Sequence, residues 1–154
     1  TLFPYTTLFR SIRKTFVVVA DGRRMLFFRN AGTPLEPNLE LVQAEEQDNP
    51  ADRDQSSDAP GRTFNSASTR RHAYEETDFH QLEEDRFAAD AAEHLRRYAL
   101  DGSFDELIVI APPRTLGQIR KHYHKQVSAR LIGEVDKDLT GHSVRQIERV
   151  IAAL

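Results

Sequence analysis

Residues 106–117 read ELIVIAPPRTLG, and the fold is decided there. Glu106–Ala111 is a short continuous apolar run, the pattern of a strand covered on both faces in the middle of a sheet. Pro112-Pro113 ends it, because proline has no N–H to give to a ladder. Thr115 and Gln118 then have capping-box spacing, and Leu116, Ile119 and Tyr123 supply the apolar stripe of a helix. A buried strand leading straight into a helix is half of a crossover whose next strand runs parallel to the first. Residues 129–135 (ARLIGEV) are read as that strand. Ser143 with Gln146 opens a last helix, with Val144, Ile147, Val150, Ile151 and Leu154 on its inner face.

Upstream, TFVVVA at 15–20 stops at Asp21-Gly22 and MLFF follows at 25–28, which reads as a hairpin. Asp-Gly suits a type I′ turn, where both central residues need positive φ. A third strand is expected at Leu39–Ala44, with Leu39 and Leu41 facing one way and Glu40 and Val42 the other. Asp78 and Gln81 repeat the capping spacing before the helical pattern of Phe87, Ala88, Ala91, Ala92, Leu95, Tyr98 and Ala99, and Asp101-Gly102 ends it. The expected class is α/β, a ribonuclease-H-like mixed sheet in the order βββ-αβαβα. The strand at 106–111 should lie beside that at 15–20, with helices on both faces.

A chain of 154 residues favours one domain. The 21 Lys and Arg residues against 24 Asp and Glu give a net charge of −3, which excludes a uniformly basic nucleic-acid binder. The absence of cysteine removes disulfides, thiolate zinc sites and cysteine nucleophiles. The longest apolar run, Phe16–Ala20, is far short of a membrane span, and the first residues have no secretory pattern, so a cytoplasmic protein is expected. Residues 1–13, TLFPYTTLFRSIR, resemble translated sequencing-adaptor DNA and are read as a non-native extension. Residues 14–154 are then one domain interrupted by a polar loop at about 45–77. Acids crowd the first half of that loop, whereas Arg62, Arg70 and Arg71 occupy 61–72 without an acid.

Metal and nucleophile chemistry find little support. Asp21 falls in a turn, and the interior of the strand at 106–111 has no acid. His80 with Glu84, and His122 with His124, do not assemble a three-ligand metal set from spacing. No P-loop, GxGxxG or GxSxG occurs, so no cofactor is expected. The stronger feature is the exit of the buried strand, where Arg114 and Thr115 stand at a helix start suited to an anion. Residues 112–130 carry Arg114, Arg120, Lys121, Lys125 and Arg130 with no acid, and Gln118, Lys121 and Lys125 are read as one helix face. The anion- or RNA-binding set is thus Arg62, Arg70, Arg71, Arg114, Thr115, Lys121 and Lys125. An ordinary solvated helix face is the alternative for the same charges, and the acidic tract at 45–58 would suit a protein-binding adaptor.

Five stretches, VVVADG (17–22), PGRTFNS (60–66), RHAYEETD (71–78), APPRTLG (111–117) and KDLT (137–140), together resemble the bacterial host attachment protein family. That family is related to the archaeo-eukaryotic peptide-chain release factors, and the resemblance runs from about Lys14 to the end of the chain. It implies the release-factor central domain, with a ribonuclease-H-like topology and a mobile loop, here Gly61–Thr77, ahead of a long helix. In those factors the loop carries a Gly-Gly-Gln tip at the peptidyl-tRNA ester. Here Gly61 is the only glycine in the tract and no glutamine follows before Gln81, so the resemblance does not extend to hydrolysis. The expected function is a noncatalytic RNA- or ribosome-associated module in translation, with host attachment an indirect phenotype. A hydrolase of an ester or phosphoester using His72, Glu75, Glu76 and Asp78 beside Arg114 is the alternative.

Overall fold

A computed structural model of the protein describes residues 14–47 and 66–154, with side chains for 14–47 and 79–154. The elements are β1 (Thr15–Ala20), β2 (Arg24–Asn30), β3 (Leu39–Glu46), α1 (Ser66–Leu100), β4 (Glu106–Ile110), α2 (Pro113–Arg120), α3 (Lys125–Ser128), β5 (Leu131–Val135) and α4 (Val144–Ala152). They build one five-stranded mixed sheet in the order β3-β2-β1-β4-β5. The β1–β2 and β2–β3 pairs are antiparallel, whereas β1–β4 and β4–β5 are parallel.

The central strands are apolar throughout because both faces are covered. Phe16, Val18, Leu107 and Val109 face the layer of α1, α2 and α3, where Phe87, Leu95, Leu116, Ile119 and Val127 are buried. Val17, Val19, Ile108 and Ile110 face the other way, against Ile147 and Ile151 of α4. The expected pairing of β1 with β4, and the helices on both faces, are both present. So is the strand read at the ARLIGEV stretch, as β5.

Helix α1 is the largest departure from expectation. It begins at Ser66, so Asp78 and Gln81 lie inside it and not at its start, and residues 66–77 of the expected loop are helical. Only residues 48–65 of that loop lie outside the described residues. Among the described side chains of the helix, burial starts at Phe87 and continues through Ala88, Ala91, Leu95 and Ala99. The helix ends as read, at Gly102 with φ 79°, where Ser103 N–H donates to Tyr98 C=O at 2.9 Å. Such a left-handed cap suits glycine because it has no Cβ to clash.

Other local expectations are corrected. The β1–β2 turn is not type I′: Gly102 is the one residue with positive φ among the described residues. Instead, Asp21 Oδ1 accepts from the N–H groups of Arg23 and Arg24, each at 2.7 Å, and ties the turn by its side chain. In β3, a register shift between Phe27 and Phe28 puts Phe27 opposite Gln43 and Phe28 opposite Leu41. This bulge breaks the expected alternation, and Leu41 and Val42 are both exposed. The edge strand is fastened to α1 by polar contacts: Tyr98 donates to Gln43, Gln43 to Glu45 at 2.8 Å, and His94 Nε2 lies 3.0 Å from Glu45. At the last helix the Ser143–Gln146 capping box forms as read, but Val144 and Leu154 are exposed. Only Ile147 and Ile151 of its expected inner face are fully buried, since this short helix touches the sheet along one line.

Candidate functional site at the carboxyl edge

Because β1, β4 and β5 are parallel, their carboxyl ends lie on one edge of the sheet, the side where open α/β sheets hold ligands. The chain leaves these ends through Asp21-Gly22, Pro112-Pro113-Arg114 and Asp138-Leu139-Thr140. Asp21 Oδ2 accepts from Thr140 Oγ1 at 2.8 Å, linking the end of β1 to the segment after β5. The same hydroxyl lies 2.9 Å from Asp138 Oδ1. A polar basin of about 580 Å³ opens here, lined by Asp21, Arg24, Asp138, Thr140, His142 and Gln146. On the other side of the β1–β2 turn, a Cβ on Gly22 would lie 3.3 Å from Glu84 Cγ, so α1 passes close against this glycine. Glu84 in turn contacts Arg114 at 3.5 Å. The edge is therefore a continuous polar strip from Asp138 to Arg114.

The cations of residues 112–130 are unequal. Arg114 is well exposed and shared with Glu84. Thr115 is buried at 8% exposure and does not cap. The N-cap of α2 is Pro112, with no side-chain cap, so the expected Thr115–Gln118 box is absent. The helix breaks after Arg120, which puts Lys121 at its C-cap and Lys125 on α3, so Gln118, Lys121 and Lys125 do not form one helix face. Both lysines are exposed and form no ion pair among the described residues. Arg120 donates to Glu134 at 3.1 Å, and the Tyr123 hydroxyl donates to the same carboxylate at 3.3 Å. Burial, and then the negative charge of Glu134, push the Tyr123 phenol far above its ordinary value, so it stays a neutral donor. His122 lies 3.2 Å from Asp85. Glu84 and Glu134 thus pair with Arg114 and Arg120, and Arg130 donates to the Gln126 carbonyl and side-chain oxygens at 2.8 and 2.9 Å, which leaves Lys121 and Lys125 as the cations whose side chains have no partner among the described residues.

Arg62 lies outside the described residues. Arg70 and Arg71 lie on α1, on the same face of the sheet as α2 and α3. At the rise of an α-helix they sit about 20 Å along the axis from Glu84, so they do not converge with Arg114 on one point. His72, Glu75, Glu76 and Asp78 are roughly 9 to 18 Å from Glu84 by the same measure. No group of three or more His, Asp or Glu side chains suited to a metal occurs among the described residues. The Asp21–Thr140–Asp138 link is what sequence reasoning missed, since Asp21 was explained by its turn. The available signal was positional: VVVADG, APPRTLG and KDLT each carry the chain off the end of a strand that proves to be parallel.

The mixed sheet with helices on both faces makes this an α/β domain, and its family is release-factor-like. The model of bacterial archaeo-eukaryotic release factor family 12 matches residues 14–151, and the chain belongs to that family. It is 26% identical over 143 residues to the uncharacterized protein RP470 of Rickettsia prowazekii (strain Madrid E), covering 89% of this chain and 91% of that one. Among solved structures it is similar to archaeal translation termination factor aRF1, with TM-score 0.47, 11% identity, and coverage of 91% of this chain and 37% of that one. A structure described as an archaeal protein gives TM-score 0.49 and 10% identity, covering 99% of this chain and 40% of that one. The chain thus spans about two fifths of these structures' length. No helix among the described residues is long and apolar enough to cross a membrane.

Proposed function

We propose that this domain is a noncatalytic RNA- or ribosome-associated module of release-factor type, working in translation in the cytoplasm. In this reading the sheet order and the parallel β1–β4–β5 set are a ribonuclease-H-like topology used as a binding scaffold. The host-attachment role named by the resemblance is an indirect consequence. The observation that carries the proposal is the pair of exposed cations Lys121 and Lys125, without an ion pair among the described residues, on the α1–α3 face that also carries Arg114. Arg70 and Arg71 on α1, with Arg62 shortly before it in the sequence, extend the same set. Cations spread over such a length match an extended polyanion better than a small anion, and phosphate contacts of this kind supply affinity without sequence preference. Structured RNA or the ribosome is the ligand; no cofactor is required.

The test is RNA binding across a salt series. Wild type binds at low salt and weakens as salt rises, because each phosphate contact releases counterions. Arg114→Ala combined with Arg62→Ala weakens binding while the protein stays folded. Undetectable binding to RNA and to ribosomes at low salt would defeat the proposal.

A further inference from the structure

We infer that the basin between the β1–β2 turn and the segment after β5 receives a ribose of the bound strand, and so makes the domain prefer RNA to DNA. This rests on the RNA-binding reading and adds to it a site of defined chemistry. Thr140 Oγ1 lies within hydrogen-bond distance of two carboxylates, Asp21 Oδ2 at 2.8 Å and Asp138 Oδ1 at 2.9 Å. A hydroxyl has one proton, so it satisfies one carboxylate and leaves the other without that donor. Asp21 is otherwise occupied, its Oδ1 holding two turn N–H groups. Asp138 is exposed; its Oδ1 also accepts from the Thr140 N–H at 3.3 Å, but its second oxygen has no partner among the described residues. The acceptor offered to a ligand is therefore Asp138.

The rest of the wall decides what kind of donor arrives. Arg24 and His142 line the same basin. The His142 ring has no partner among the described residues, and Arg24 is held only by a 3.7 Å contact to the exposed Glu46. A metal cation finds too few ligands here and two basic side chains against it. A ligand carrying hydroxyl donors and an anionic group a few bonds apart fits both walls, and a ribose with its phosphate is such a unit. A carboxylate beside a polyanion is repulsive unless a hydroxyl bridges them, so the 2′-OH is the group that Asp138 selects.

The experiment compares affinities for a single-stranded oligoribonucleotide and its deoxyribose counterpart in wild type and Asp138→Asn, with circular dichroism confirming the fold. Wild type prefers RNA, and Asp138→Asn reduces the RNA-to-DNA affinity ratio about tenfold, one charge-assisted hydrogen bond's worth. If Asp138 acts only as a negative charge, the variant binds both strands more tightly by the same factor, and the unchanged ratio overturns the inference. Saturation by a free ribonucleoside monophosphate without strand binding would also overturn it, by assigning the basin to a nucleotide. An Arg114→Ala, Lys121→Ala, Lys125→Ala variant separates the two levels. If it weakens both strands while Asp138→Asn leaves the ratio untouched, the ribose site fails and the RNA-binding reading stands. If wild type binds neither strand, the ribose site falls, and if it also binds no ribosomes or structured RNA at low salt, the RNA-binding reading falls with it.

Discussion

The two ends of the parallel strands are built from opposite materials. At the amino end, Phe16, Tyr98 and Phe104 cluster with ring centroids 5.2 Å apart in the Phe16–Phe104 and Phe16–Tyr98 pairs. The backbone there is stitched by Asp105 N–H to Lys14 C=O at 2.8 Å and by Lys14 N–H to Asp105 Oδ2 at 3.2 Å. At the carboxyl end the same strands finish in Asp21, Arg114, Asp138 and Thr140, with an open polar basin among Asp21, Asp138 and Thr140. One end spends its side chains on burial and the other keeps them for solvent or a ligand. Stability and binding should therefore separate by end, and each variant below tests that separation.

The largest effect belongs to the amino end. Phe104 is fully buried, and Phe104→Ala should cost about 3 to 5 kcal/mol in denaturant unfolding, with binding per folded molecule unchanged. Next comes the carboxyl-side face. Arg114→Ala with Lys121→Ala and Lys125→Ala should lower RNA affinity at low salt about ten- to a hundredfold and flatten the log–log salt slope by about 2. Its unfolding midpoint should stay near wild type, because the three side chains are exposed; a loss matching that of Phe104→Ala would erase the distinction between the ends. Third, Gly102→Ala forces a side chain into a φ of 79° and should destabilise by about 1 kcal/mol without touching affinity.

The smallest effect is on the surface of α1. A hydrogen bond from Arg96 holds the Glu93 carboxyl below its ordinary 4.5, at about 2, aided by the charges of Arg96 and Arg97. A depressed carboxylate stabilises the fold above its unfolded value and loses that contribution as pH falls through the folded one. Glu93→Gln should thus lower stability slightly above pH 4.5 and cost nothing once the pH is near 2. The pair is exposed, so the difference should shrink with added salt.

The sequence was most readable where two faces of an element are buried. VVVA and LIVI are apolar at every position because α1 and α4 cover opposite sides, and both became central strands. The Phe87–Ala99 stripe fixed the packed half of α1 for the same reason. Residues 66–77 carry no such stripe, and a reading that rests on apolar periodicity therefore takes them for loop although they are helical. Likewise the basic run at 112–130 was visible, but its partners Glu84, Asp85 and Glu134 come from other elements, so the pairing was not. Thr115 looked like a cap by spacing, yet the two prolines start the helix before it and turn its side chain into the core.

The most direct test of the central claim measures RNA affinity for wild type and the Arg114, Lys121 and Lys125 triple variant at about 50 and 200 mM salt. The account predicts tight, salt-sensitive binding by wild type and a weaker, less salt-sensitive variant of equal stability. Equal affinities for the two proteins at both salts, or no binding by either, would contradict it.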